Sequence, residues 1–205
     1  MKPFELRHGT GEWPAGETLL HVYAVPDLAE NPELAKLTQG CREALAPYPL
    51  TPVGDPWLHI TLMQITDQFG GRYSAADRAE LAAALRADLA GFGGFELTIG
   101  SCLARHSGVT FDVHPDDDIV RLGAAVNESV GRVRGPAALK YHAGIPHMAV
   151  AYAHGEADNA DVQRDLSRVR PSHAPMTVTA VQLVDVAGDP EAKTITWSLV
   201  DTIPL

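Results

Sequence analysis

The chain has 205 residues, 45% of them hydrophobic and 20% charged, which is enough apolar surface for one sizeable core. No stretch approaches the roughly 20 apolar residues of a membrane span, so no membrane partner is expected. The net charge of −10 argues against gripping long duplex nucleic acid and leaves a small phosphorylated molecule or the end of a longer chain as the fitting polyanion.

Glu5, Arg7 and His8 interrupt any apolar run at the N-terminus, so no signal peptide and a cytoplasmic location are expected. Leu19 to Val25 reads as a buried strand closed by Pro26-Asp27. A helix follows from about Leu28 to Leu45, with Leu34, Leu37, Cys41, Ala44 and Leu45 at helical spacing. Pro47, Pro49, Pro52 and Pro56 mark a connector that cannot be helical, and Trp57 to Thr66 is the next strand. Ala75 to Leu89, rich in Ala, Leu and Arg, predicts a helix ending at Gly91.

Strands are expected at Phe95 to Ala104 and Val109 to Val113, with Ser107-Gly108 in the turn between them. Asp116 or Asp117 caps a helix reaching about Val133. The connector Arg134 to Pro146 leads to a strand, His147 to Tyr152, and a helix from about Ala157 to Val169 stops before Pro171. Met176 to Val186 and Thr194 to Val200 form a hairpin around Gly188-Asp189-Pro190. The element order nearly repeats. The expected fold is therefore a single α+β domain over residues 1–205, with two pseudo-symmetric lobes meeting near Arg105 to Gly108. Each lobe has an antiparallel-rich sheet and outer helices.

Alternation along the two histidine-bearing strands gives each an apolar face. Leu58, Ile60 and Leu62 point one way and His59, Thr61 and Met63 the other. Met148, Val150 and Tyr152 likewise oppose His147, Ala149 and Ala151. The histidines lie close to half a chain apart, so two strands related by a pseudo-twofold would aim both imidazoles into one cleft.

The segments His59-Ile60-Thr61-Leu62 and His147-Met148-Ala149-Val150 resemble the repeated H-x-[T/S]-x motif of the 2H phosphoesterase superfamily. That superfamily includes the 2′-5′ RNA ligase-like proteins and cyclic nucleotide phosphodiesterases. The resemblance implies a bilobal fold with one motif per lobe, and metal-independent opening of a cyclic phosphodiester on a nucleotide or RNA end, with RNA ligation as the reverse of that chemistry. His59 and His147 would share the acid and base roles, for which imidazole is suited near neutrality. The motif hydroxyls would donate to phosphate oxygens, which Thr61 can do and Ala149 cannot.

Further substrate-contact candidates are Lys140 and Tyr141, in a stretch from Arg132 to His147 without acidic residues, together with Arg105 and Tyr152. His21 reads as a core or cleft-lining residue. His106, His114, His142, His154 and His173 show no metal-ligand spacing, and Cys41 and Cys102 form no CxxC pair, so neither a metal nor a cofactor is expected. No P-loop follows Gly91 to Gly94, and neither Ser101 nor Ser107 sits in a GxSxG elbow. Two alternatives stand beside the phosphoesterase. One is a degenerate protein that binds a nucleotide or RNA end without turnover, with Ala149 as the mark of decay. The other is a metal-dependent hydrolase using some of the nine histidines.

Overall fold

The computed structural model describes residues 1–8, 11–142 and 144–205; Ala143, inside the expected connector, lies outside them. In chain order the elements are β1 (Arg7–His8), β2 (Gly11–Glu12), β3 (Thr18–Ala24), α1 (Pro32–Leu45), β4 (Leu50–Pro52), β5 (Ile60–Gln64), α2 (Ala75–Leu89) and β6 (Phe95–Ala104). Then come β7 (Gly108–His114), α3 (Asp116–Arg134), β8 (His147–Ala153), α4 (Asn159–Leu166), β9 (Ala174–Val178), β10 (Ala180–Asp189) and β11 (Thr194–Pro204).

Local chemistry sets the helix ends. Ser74 and Asp77 exchange side-chain and backbone hydrogen bonds as a capping box at the start of α2. Asp158 accepts from the amides of Ala160 and Asp161 at the start of α4. The first expected helix begins four residues late, because Pro32 takes the first helical position, where its missing N–H costs nothing. The three aspartates opening α3 and the two arginines closing it match the helix dipole.

Strands β3 to β11 build one curled antiparallel sheet in the order β11-β10-β3-β5-β8-β7-β6-β9, with β4 also paired to β8. Its halves join where β5 meets β8 at the single pair Ile60↔Met148. Beyond that pair β4 takes over the edge of β8, so the two halves splay apart. Helices α2 and α3 pack on each other and reach β11 and β5, whereas α1 lies against α4, β8 and β9. Between sheet and helices lies the main core, from Leu20 and Leu34 through Phe111 and Val126 to Ile203. A smaller cluster of Leu6, Trp13, Leu19, Tyr23, Val184 and Val186 sits apart from it. No helix among the described residues is long and apolar enough to cross a membrane.

Three readings of the pattern need correction. Met176 to Val186 is not one strand: the chain breaks at Thr179, β9 pairs with β6, and β10 pairs with β3 in the other half of the sheet. The buried positions change phase across the break, from Met176 and Val178 to Val181 and Leu183, but apolar Ala180 carries the sequence alternation past Thr179 and hides the change. Arg105 to Ser107 form the turn of the β6–β7 hairpin, and each half of the sheet draws strands from distant parts of the chain.

The third correction concerns the faces of the histidine strands. The β3–β5 register steps from Val22↔Met63 to Tyr23↔Thr61, skipping Leu62. The β7–β8 register steps from Val109↔Ala151 to Thr110↔Ala149, skipping Val150. Each extra residue reverses the alternation after it. Met63, expected beside the histidines, joins the core instead, and Tyr152 turns to the concave side. The two bulges occupy equivalent places, one residue past the third position of each motif.

Candidate active site

His59 and His147 lie one residue before the members of the Ile60↔Met148 pair. On antiparallel strands this puts them on opposite sides of that pair and on the same face, with Ile60 and Met148 buried behind. A short 3₁₀ turn, Asp55–Trp57, delivers the chain to His59. The Nδ1 of His59 lies 2.8 Å from the carbonyl oxygen of Trp57, and that of His147 lies 2.9 Å from the carbonyl of Ile145. A carbonyl only accepts, so Nδ1 carries the proton in each neutral ring and Nε2 is left as the reactive nitrogen. Both histidines use the residue two positions earlier in the chain for this purpose.

Both rings line one cavity of about 560 Å³ on the concave side of the sheet. The first half of the sheet contributes His21, Tyr23, Thr61 and Gln64, and the second contributes Thr110, Ala149 and Tyr152. Strand register makes these sets equivalent in part: Thr61 matches Ala149, Gln64 matches Tyr152, and Tyr23 matches Thr110. The N-terminal segment closes one side through Phe4, Leu6 and Trp13, with Phe4 stacked on Tyr152 at 4.4 Å between centroids.

The surroundings of the two imidazoles differ. His59 is 7% exposed, with Tyr23 stacked on its face at 3.9 Å and the Trp197 ring edge-on at 5.0 Å. Burial lowers its pKa to about 4, with the charge of His147 adding to the effect and the Trp57 carbonyl opposing it. His59 is therefore neutral at pH 7, with Nε2 ready to accept. His147 is exposed at the mouth of the cavity. Tyr23 is held firmly protonated by burial, and its hydroxyl shares a hydrogen bond with His21 Nδ1 at 2.6 Å.

Of the candidates read from sequence, His59, His147, Thr61, Ala149, Tyr141, Tyr152 and Arg105 all line the cavity. Lys140 does not. It is exposed, and its amide donates to Thr66 Oγ1 at 3.1 Å, away from the cavity wall. The other basic groups of that stretch are spent on distant carboxylates. Arg132 pairs with Asp88, and Arg134 pairs with Asp67 at 2.7 Å and Asp77 at 3.0 Å while lying over the Tyr73 ring. Sequence reasoning missed Tyr23, Gln64, Thr110, Trp13 and Trp197. Only Tyr23 had a signal, two residues from His21 on the same strand. Among the described residues no three His, Cys, Asp or Glu side chains converge as a metal site.

The sequence matches the 2′-5′ RNA ligase superfamily over residues 25–190. No curated protein matches it. Among solved structures it is similar to TT0787 of Thermus thermophilus (TM-score 0.65, 15% identity, 91% of this chain and 97% of that one). It is also similar to Escherichia coli LigT complexed with 3′-AMP (TM-score 0.61, 16% identity, 92% and 98%). The MHV ns2 PDE domain is a third likeness (TM-score 0.53, 11% identity, 83% and 99%). A match over most of its length, and a curled sheet carrying both histidine motifs in one cavity, place this chain in the 2′-5′ RNA ligase superfamily of 2H phosphoesterases.

Proposed function

We propose that this protein hydrolyses a cyclic phosphodiester, a 2′,3′-cyclic nucleotide or the cyclic end of an RNA, without a metal ion. One observation carries the reading: two imidazoles with Nδ1 tied to the backbone face a single cavity from opposite sides of one strand pair. In-line displacement at phosphorus needs a base on the attacking side and an acid on the leaving side.

The environments support one division of the roles. His59, buried and neutral, takes a proton from the attacking water at Nε2. His147, exposed where water can solvate an imidazolium, gives its proton to the departing ribose oxygen. The water oxygen bonds to phosphorus, the ring P–O bond breaks, and a phosphomonoester with a free hydroxyl results. With a sugar hydroxyl in place of water, the same groups would join two nucleotides, the ligase direction of the chemistry. Thr61 donates to a non-bridging oxygen as charge builds there.

A cavity of this volume suits one nucleotide or a chain end, and the charge of −10 disfavours longer polyanions. LigT has been crystallised with 3′-AMP, ATP and phosphate, which supports a nucleotide-class ligand for this chain too. Free, buried Cys41 and Cys102 fit a reducing, cytoplasmic compartment. Binding without turnover is the second reading, favoured by Ala149.

The test is turnover of 2′,3′-cyclic nucleotides in EDTA, with His59→Ala and His147→Ala alongside. Each variant should lose about 10²–10⁴-fold in kcat. Turnover that survives both substitutions, or that EDTA abolishes, would sink the two-histidine reading; nucleotide binding with no turnover would favour the second one.

A further inference from the structure

The second motif lacks its hydroxyl at Ala149, yet the strand beside it carries one. Thr110 on β7 is the cross-strand partner of Ala149 on β8, so the two side chains share the concave face, and both line the cavity. The skipped Val150 sets this pairing, and bulges commonly re-aim side chains at active sites. In the first half of the sheet the equivalent place, beside Thr61, holds Tyr23, whose hydroxyl is committed to His21. One half therefore has its hydroxyl on the motif strand with an aromatic brace next door. The other half has alanine on the motif strand and threonine next door.

Thr110 is also prepared to donate. Arg105, across the hairpin turn, directs Nε–H at Thr110 Oγ1 at 3.3 Å. That bond occupies an acceptor site of the hydroxyl, leaves its proton free to point elsewhere, and polarises the O–H. Arg105 is itself a cavity residue and makes no ion pair among the described residues, whereas Arg7, the other arginine lining the cavity, is paired with Glu5. Arg105 is exposed to solvent, so its charge is available to an anion that enters the cavity.

The geometry points to Thr110 as the phosphate-binding hydroxyl of the second lobe, standing in for the one that Ala149 lacks, with Arg105 positioning it and adding charge toward the same phosphate. The inference deepens the proposed function and rests on its placement of the phosphate between His59 and His147.

Affinity for inorganic phosphate, measured by calorimetry on the full chain, tests it independently of turnover. Thr110→Val keeps the shape and β-branching, and Thr110→Ala is a second variant should valine disturb folding. Each should weaken phosphate by about tenfold, the worth of one hydrogen bond to a charged group. Thr110→Ser should stay within about twofold of wild type, and Ala149→Thr added to Thr110→Val should recover most of the loss. In the cyclic-nucleotide assay Thr110→Val should lose about 10²-fold in kcat with a smaller change in KM.

A wild-type protein that binds no phosphate, or folded Thr110→Val and Thr110→Ala that bind it within about twofold of wild type, would overturn the inference. Phosphate affinity that depends on Thr110 in a protein that turns over no cyclic nucleotide would uphold it while removing the hydrolase reading.

Discussion

Tyr23 lies flat against His59, ring centroids 3.9 Å apart and planes 20° apart, and its hydroxyl is anchored on His21 Nδ1 at 2.6 Å. The stack covers one face of the imidazole, and Trp197 meets it edge-on. With Nδ1 held by the Trp57 carbonyl, the ring has little freedom to rotate or to take up water. This enclosure keeps His59 neutral, as the proposed base must be, and it couples that state to the stability of the fold.

Acid should therefore cost this protein more than its carboxylates alone explain. The pKa of His59, about 4 in the folded chain against an ordinary 6.5, is depressed. Above pH 6.5 neither state is protonated, and the stability owed to the neutral ring is fully present. Between about 6.5 and 4 the unfolded chain binds a proton that the folded one refuses, so stability falls with pH and this contribution levels off below about 4. Urea unfolding at pH 7.5 and 4.5 should show wild type losing about 2–3 kcal/mol more than His59→Gln. If the two lose equally, His59 is not buried as a neutral ring. The same shift predicts that base catalysis persists down to about pH 4–5, so kcat/KM should show no His59 limb near 6.5.

Tyr23 separates its two contributions by substitution. Tyr23→Phe keeps the stack and removes a buried hydrogen bond, so it should cost about 1–2 kcal/mol of stability with little change in kcat. Tyr23→Ala opens a void beside the base. It should cost about 3–5 kcal/mol, and by letting the ring shift it should lower kcat by about 10²-fold. Urea unfolding and steady-state turnover together check both; equal kcat values for the two variants would show that the stack does not position His59.

What the sequence revealed follows the range of the forces involved. Helix α2 is legible to the residue because its capping box and its composition are local. The histidine pair is legible because each motif fits within four residues of one strand. The skipped Leu62 and Val150 depend on partner strands far away in sequence, so alternation assigned Met63 and Tyr152 to the wrong faces. The break at Thr179 and the cover supplied by Phe4 and Trp13 are likewise matters of distant pairing. The stretch from Arg132 to His147 looks unpaired in sequence for the same reason: the acidic partners of Arg134, Asp67 and Asp77, lie far earlier in the chain.

Arg134 should therefore be a structural residue with no part in substrate binding. Its guanidinium, 17% exposed, joins Asp67, Asp77 and the ring of Tyr73, whose hydroxyl also donates to Asp67. Arg134→Gln leaves those carboxylates short of their cation and should cost about 2–3 kcal/mol, somewhat less than a fully buried pair. Phosphate affinity should remain at the wild-type level. Weakened phosphate binding in a variant of unchanged stability would instead give this arginine a part in the site.

Two glycines should answer the same substitution with opposite sign. A Cβ on Gly108 would stand 2.4 Å from the carbonyl oxygen of Ala151, a contact that only movement of the β7–β8 pair can relieve. Gly108 pairs with Tyr152, and the same ladder carries Thr110↔Ala149 and Asp112↔His147. Gly108→Ala should thus destabilise by about 1–3 kcal/mol and also reduce turnover, because the shift reaches both Thr110 and His147. Gly123, in the interior of α3, has nothing nearer than Leu62 O at 4.0 Å. Gly123→Ala removes only the entropic cost of glycine in a helix and should stabilise by about 0.5–1 kcal/mol with activity unchanged. Thermal denaturation of the pair decides the matter: a Gly108→Ala variant as stable and as active as wild type would show that β7 does not need so close an approach to hold the second half of the site.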